Sequence, residues 1–378
     1  MFDYETYKLI WWGLIGILLI GFAIMDGHDM GVGTLLPWVA RSDVERRVVI
    51  NTVGPHWDGN QVWFVTGGGA IFAAWPMIYA TAFSGFYWAM LAALWALFLR
   101  PVGFDFRSKI NDPRWRSSWD WGLFVGSVVP PIIFGVAFGN LLLGVPFTFD
   151  EMLVSTYSGS FWALLNPFAL LCGVVSSAMV TMHGGIYLAH RSEGQIAARA
   201  RRAATVSGLL LLLAFTAAGF WVATLDGYVI SSSVDPNAVP DPMGKTVIRE
   251  AGAWLGNYRS EPLTLLVPLL AYMGVIMALW LLRVRRSGWA FVSSALALAA
   301  VVATAGVSMF PFLLPSSSDP RASLTVWDST SSHLTLGIMF WVSLILVPLI
   351  VLYTSWAYRV MRGKVTAEQI QRNSHSAY

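Results

Sequence analysis

Residues 9–38 carry charge only at Asp26 and Asp29, and long apolar runs of this kind recur from one end of the chain to the other. Inside a bilayer every backbone N–H and C=O must be satisfied without water, which leaves only helices and closed barrels. Runs of about 20 apolar residues select helices. Charged residues make up 12% of the chain, against about 25% in soluble domains. The expected fold is therefore all-α and polytopic. Nine membrane helices are read at about 9–38, 54–75, 80–99, 121–141, 161–186, 205–225, 262–282, 289–310 and 335–357, the first long enough to tilt or to emerge on the inner side. The whole of 1–378 reads as a single integral membrane domain with approximate halves 1–200 and 201–378.

Positive charge sets the expected orientation. One set of loops holds Arg41, Arg46 and Arg47; Arg100, Arg107, Lys109, Arg114 and Arg116; Arg191, Arg199, Arg201 and Arg202; Arg283, Arg285 and Arg286; the tail adds Arg359, Arg362, Lys364 and Arg372. The opposite side has only Lys8, Lys245, Arg249, Arg259 and Arg321. The N-terminus is thus expected outside and the C-terminus in the cytoplasm. Omitting the span at 54–75 would put Arg41, Arg46 and Arg47 outside and fits less well. The acidic start Met1-Phe2-Asp3-Tyr4-Glu5 is unlike a cleavable signal peptide, which begins basic. A net charge of +3 held in short loops gives no sign of a nucleic-acid partner. The single cysteine, Cys172, excludes an internal disulfide and any cysteine-based metal site. Segments 142–160, 226–260 and 311–333 carry Pro, Ser and Asp and read as ordered outer loops. Two Asp-Gly pairs, Asp26-Gly27 and Asp226-Gly227, hint at a duplication or are chance.

An ionisable side chain at membrane depth costs about 2.5–3.5 kcal/mol or more, so it faces a protein interior or water. Asp26, Asp29 and Asp58 are such residues. Asp26 and Asp29 share a helix face, and Gly27–Gly31 forms a GxxxG pattern that admits a neighbouring helix closely. A buried polar seam is one reading; an acid simply paired with an arginine such as Arg100 is the other. In residues 54–63, GPHWDGNQVW, Pro55 fits the first turn of a helix. His56 with Asn60, and Asp58 with Gln61, then form two adjacent polar strips at the inner mouth of the second span. Trp63 follows, and Gly67-Gly68-Gly69 implies a tight helix contact one turn deeper. Such a mouth admits protons through Asp58, with His56 and water as relays. The competing explanations are polar glue between helices and a docking site for a partner.

The histidines at 28, 56 and 183 lie at membrane depth, yet no pair has the spacing of a two-histidine haem site on one helix, and no HExxH cluster is present. A lone histidine on an apolar helix is more often a hydrogen-bonded core residue. There is no phosphate-binding loop, dinucleotide fingerprint or nucleophile elbow. Eight of the 19 tryptophans, including Trp11, Trp12 and Trp356, lie near span ends, where the interface favours them.

Several stretches together resemble one family. They are Trp11-Trp12, MDGHDMG at 25–31, Glu45-Arg46-Arg47, GPHWDGNQVW at 54–63, GAIFAAWP at 69–76, FSGFY at 83–87 and FLRPVGFDFR at 98–107. They continue with Gly139-Asn140, GVPF at 144–147, MFPF at 309–312, Pro315-Ser316-Ser317, LTVWDSTSS at 324–332 and the tail RNSHSAY at 372–378. The chain is similar along its whole length to subunit II of the cytochrome bd quinol oxidases, in the form found in proteobacteria rather than the cyanide-insensitive branch.

That resemblance implies an electrogenic quinol:oxygen oxidoreductase of the bacterial inner membrane. It would oxidise ubiquinol or menaquinol, reduce oxygen to water with cytoplasmic protons, and build a proton gradient without pumping. It implies a haem-bearing subunit I holding the quinol site, two b-type haems and one d-type haem. Small single-helix subunits often join, and some members hold a quinone in subunit II as a structural lipid. Subunit II itself is implied to be two four-helix bundles plus one peripheral helix, without haem ligand, metal or catalytic residue. By position, Asp58 matches the acid at the cytoplasmic mouth of a proton route, with His56, Asp26 and Asp105 also in the pattern. Trp63 matches a residue near an oxygen path, and Asp29 and Arg100 match positions that keep the haem centres intact across the subunit interface. The family usually has an aromatic residue where this chain has His28, and does not require histidine at His183 or His333. A reading from another class, a proton-coupled transporter using Asp26, Asp29 and Asp58, predicts a substrate cavity inside the chain and stability without a partner. A pure structural anchor predicts that no intramembrane carboxylate matters for turnover.

Overall fold

The computed structural model describes residues 2–372 and 378. Helix α1, Tyr4–Val39, begins where Asp3 accepts the Thr6 N–H in an N-cap, and it runs for 36 residues. Ser42 caps α2, Asp43–Val53, while Glu45 reaches back to the Arg41 N–H, so two of the otherwise unpaired donors of that helix start are satisfied. Next come α3 (Trp57–Asn60), α4 (Val62–Ala74), α5 (Pro76–Gly85), α6 (Tyr87–Phe106) and α7 (Pro113–Leu143). Then follow α8 (Pro167–Arg191), α9 (Gly194–Val222), α10 (Gly256–Ser260), α11 (Leu266–Arg283), α12 (Ser287–Met309), α13 (His333–Val360) and α14 (Ala367–Arg372).

Among the described residues eight helices are long and apolar enough to span a bilayer, and nine spans result if the pair Trp57–Ala74 and Pro76–Gly85 is one broken span. That pair departs from the expected straight helices at 54–75 and 80–99. Trp75 is non-helical (φ −132°, ψ 72°) and Pro76 opens α5 in its first turn, because proline cannot donate the N–H that would continue α4. The chain turns by 118° there. The carbonyls of Ala73 and Ala74 freed at the break accept the hydroxyl and N–H of Ser331, which is the internal satisfaction that hydrocarbon demands. Residues 80–85 therefore belong to the turned segment, and the following span is α6.

The helices form two groups of four. The first is α1, α4, α6 and α7, in which α1 packs on α4 and α7, and α6 on α7; the second is α8, α9, α11 and α12. Helix α8 also packs on α1 and α7, and one apolar core runs through both groups, from Leu35 and Leu123 to Leu211, Ala278 and Leu298. Helix α13 stands at the periphery with only Leu336 and Gly337 buried. The GxxxG expectation holds: a Cβ on Gly31 would lie 2.0 Å from the Val180 carbonyl oxygen of α8. The expectation for Gly67-Gly68-Gly69 fails within this chain, since Gly68 and Gly69 have nothing within 4 Å.

At one end of the bundle the expected outer loops are ordered by three antiparallel pairs. These are β1 (Phe147–Phe149) with β2 (Ser155–Tyr157), β3 (Asp226–Ile230) with β4 (Val247–Ala251), and β5 (Phe312–Leu314) with β6 (Leu324–Thr325). The two Asp-Gly pairs sit in unlike places, Asp26 buried inside α1 and Asp226 exposed at the start of β3, so they carry no sign of duplication. At the other end, ion pairs and hydrogen bonds stitch the basic segments together. Arg46 joins Asp120 at 2.8 Å, Arg116 joins Asp43 at 3.0 Å, Arg199 joins Glu45, and Arg191 donates to the Met361 carbonyl. Arg47 and Asn51 hold the Tyr378 carbonyl at 3.1 and 3.0 Å.

Candidate functional site

The GPHWDGNQVW stretch is a jointed entrance rather than a helix start. Pro55 lies in the turn between α2 and α3 instead of a first helical turn, and Gln61 ends α3 and opens α4. This joint splits the polar residues by face. His56 and Asn60 are buried, whereas Asp58 is exposed. Asp58 and the exposed Asp105 line a cavity of about 530 Å³ whose walls also include His56, Asn60, Tyr358 and Tyr378. It lies at the end of the bundle where the basic segments gather.

Beyond the cavity wall, α1 presents Asp26, His28 and Asp29, each at most 1% exposed. Asn60 Nδ2 donates to Asp29 Oδ2 at 2.6 Å and lies 2.7 Å from the Tyr358 hydroxyl. His28 Nε2 stands 3.2 Å and His56 Nδ1 3.6 Å from Asp29 Oδ1. A continuous polar path thus leads from the open mouth at Asp58 to a carboxylate in the core. Asp26 belongs to a separate pair. Arg100 grips it with both terminal nitrogens, at 3.0 and 2.6 Å, while its guanidinium lies 5.7 Å from the Trp57 ring centre. Two parallel N–H···O bonds of this kind are a strong, geometry-fixing contact. Arg100 thus holds Asp26.

A family model described as cytochrome bd terminal oxidase subunit II matches residues 7–361. The chain belongs to the cytochrome bd terminal oxidase subunit II family. Cytochrome bd-I ubiquinol oxidase subunit 2 of Escherichia coli K12 is 54% identical over 379 residues, covering 100% of both chains. A probable cytochrome oxidase subunit 2 of Haemophilus influenzae is 51% identical, again over 100% of both. The solved bd oxidase of Geobacillus thermodenitrificans shares the fold, with a TM-score of 0.68 over 94% of this chain and 98% of that one at 16% identity. Membership makes this subunit II one part of a haem-containing terminal oxidase with a partner subunit I, and it decides between the oxidase and transporter readings.

In this subunit II the three core histidines are not placed to hold a haem. His183 bonds Ser294 at 2.7 Å and the Ile24 carbonyl at 3.2 Å. His28 Nε2 and His56 Nδ1 face Asp29. Trp63 packs its ring edge against α1, where a Cβ on Gly21 would be 2.3 Å away. The gap beside it is about 10 Å³, no larger than one water requires.

Sequence reading missed a second polar group. Asp120, 2% exposed, receives Arg107 at 2.6 Å and Arg46 at 2.8 Å, and Arg107 also reaches Asp43 at 3.0 Å. The available signal was an acid set between Trp119 and Trp121 at the start of an apolar run, close to several arginines. Tyr187 and Tyr358, which hydrogen-bond His56, were also missed, because no local pattern marks them.

Proposed function

We propose that this chain is the haem-free half of an electrogenic quinol oxidase, packed against a subunit I that carries two b-type haems, one d-type haem and the quinol site. In this reading it admits cytoplasmic protons through the cavity at Asp58 and Asp105, passes them by His56, Asn60 and Tyr358 toward Asp29, and stiffens the adjoining wall with the Asp26–Arg100 pair. The observation that carries the reading is the cavity of about 530 Å³ whose mouth is lined by two exposed carboxylates and whose inner wall hydrogen-bonds a buried one. Protonatable chains of this kind are how protons cross membranes.

The orientation follows from the same face. Arg46, Arg116, Arg191 and Arg199 are joined to one another's segments beside the cavity mouth, and clustered basic loops mark the cytoplasmic side. The N-terminus is then periplasmic, the C-terminus cytoplasmic, and the membrane the bacterial inner membrane. The open Gly68–Gly69 face of α4 offers subunit I a close helix approach. Trp63, half-buried at the same helix, adjoins that approach, and an oxygen path past it belongs to the assembled complex. The outer surface of α13 is left for lipid, small single-helix subunits or a structural quinone.

The test is Asp58→Asn in the complex co-expressed with subunit I. Haem absorption should be unchanged while quinol-driven oxygen consumption falls about 100-fold or more, the range that one proton-transfer group contributes. Unchanged turnover with intact haems overturns the proton role and leaves a scaffold.

A further inference from the structure

The cluster of His28, Asp29 and His56 has an excess of lone pairs. His28 Nδ1 lies 3.0 Å from the Ile24 carbonyl, and His56 Nε2 lies 3.1 Å from the Thr52 carbonyl. A carbonyl only accepts, so both of those ring nitrogens carry the hydrogen. Tyr187 donates its own hydroxyl to Thr52 O and accepts at His56 Nε2, which supports the same tautomer. The other nitrogens, His28 Nε2 and His56 Nδ1, therefore present lone pairs, and both face Asp29 Oδ1. The donors nearby are the Tyr358 hydroxyl and the two Asn60 amide hydrogens. One amide hydrogen is taken by Asp29 Oδ2 at 2.6 Å. The other amide hydrogen is shared between the Tyr358 hydroxyl at 2.7 Å and His56 Nδ1 at 3.2 Å, and the Tyr358 hydroxyl hydrogen has Asn60 Oδ1 at 3.1 Å as well as a ring nitrogen at 3.3 Å on either side; Asp29 Oδ1 is left buried with no hydrogen-bond partner. An unsatisfied carboxylate oxygen away from water is costly. Arg100 does not relieve it, being held by Asp26.

The geometry points to a transition-metal site. We propose that His28 Nε2, His56 Nδ1 and Asp29 Oδ1 bind a divalent cation of the Zn²⁺ class, with the Tyr358 oxygen at the fourth corner. Four ligands about 2.0–2.1 Å from such an ion at tetrahedral angles stand about 3.3 Å from one another. The measured separations are 3.2 Å for His28 to Asp29 and 3.6 Å for His56 to Asp29, and Tyr358 lies 3.3 Å from each ring nitrogen. The three proposed anchoring atoms all lie within 4.8 Å of one another. Each has the outer support that metal ligands use: a backbone carbonyl behind each imidazole and Asn60 behind the carboxylate. Imidazole with hard oxygen suits zinc and its neighbours in the first transition row. Access is through the cavity, whose wall includes His56, Asn60 and Tyr358.

The site shares His56, Tyr358 and Asp29 with the proposed proton route, which a bound cation would close, so its test reads metal rather than turnover. The complex with subunit I is treated with chelator, equilibrated with Zn²⁺ alone, desalted and analysed for zinc by mass spectrometry, beside His28→Phe and the control His183→Phe. One equivalent more zinc per complex is expected in the parent and in His183→Phe than in His28→Phe. Equal zinc in parent and His28→Phe overturns the site and leaves a proton as the cation that closes the cluster. If His28→Phe does not assemble, zinc-edge X-ray absorption on the loaded parent decides. Scattering from two imidazoles supports the site, and an oxygen-only shell overturns it.

Discussion

Replacing Arg100 by methionine is the sharpest test of how the interior is held. Arg100 and Asp26 are at most 1% exposed, and the pair is joined by two hydrogen bonds of 3.0 and 2.6 Å. Removing one partner of a buried pair leaves the other as an uncompensated charge and costs about 3–5 kcal/mol. Exposed pairs give at most about 1 kcal/mol, so the two cases are well separated. The purified two-subunit complex would be titrated with SDS and followed by circular dichroism and by haem absorbance. Arg100→Met alone and Asp26→Leu alone should each lose about 3–5 kcal/mol, whereas Asp26→Leu with Arg100→Met should recover most of that loss, since an apolar replacement of a buried pair is often neutral. Single losses below about 1 kcal/mol, or a double variant equal to the sum of the singles, would refute a shared buried bond.

Gly31→Ala should cost more than Gly27→Ala in the same titration. The added methyl at 31 meets backbone, 2.0 Å from Val180 O, and at 27 it meets a side-chain carbon at 3.2 Å; the difference should reach about 1–3 kcal/mol, and equal losses would contradict the close α1–α8 crossing. Glu45 gives a pH signature. Burial pushes its carboxyl upward, but the Arg41 N–H and Arg199 outweigh this and hold it below its ordinary value of 4.5. A lowered carboxylate stabilises the fold above its unfolded pKa and loses that contribution as pH falls through the folded one. The stability gap between the parent and Glu45→Gln should therefore be fully present above pH 4.5 and shrink as pH falls below it; a gap that is larger in acid than at neutral pH would speak against this link.

The spans were legible because apolar length is a local property, and the family motifs made the partner and chemistry legible at the same stage. The bend at Trp75 was not. Apolar composition is continuous through Pro76, so hydropathy registers length and not direction, and only the rescue of the Ala73 and Ala74 carbonyls by Ser331 explains why a broken helix is tolerated. In the site, the pairing of His56 with Asn60 followed from their i, i+4 spacing, and the structure keeps them 3.2 Å apart. The convergence of that pair with Asp29 did not follow, since it depends on how α1, α3 and the far end of α13 meet. Asp120 was overlooked because it falls one residue ahead of an expected span, where an acid reads as solvated.

The stitched basic face also has a consequence in time. In the proposed orientation Arg46 and Arg191 act as their helices leave the insertion machinery, when their bonding partners have not yet been synthesised. Asp120 follows Arg46 by 74 residues, and Met361 follows Arg191 by 170. Arg46 and Arg191 thus steer the nascent chain first and are fastened to these partners only when a later segment arrives.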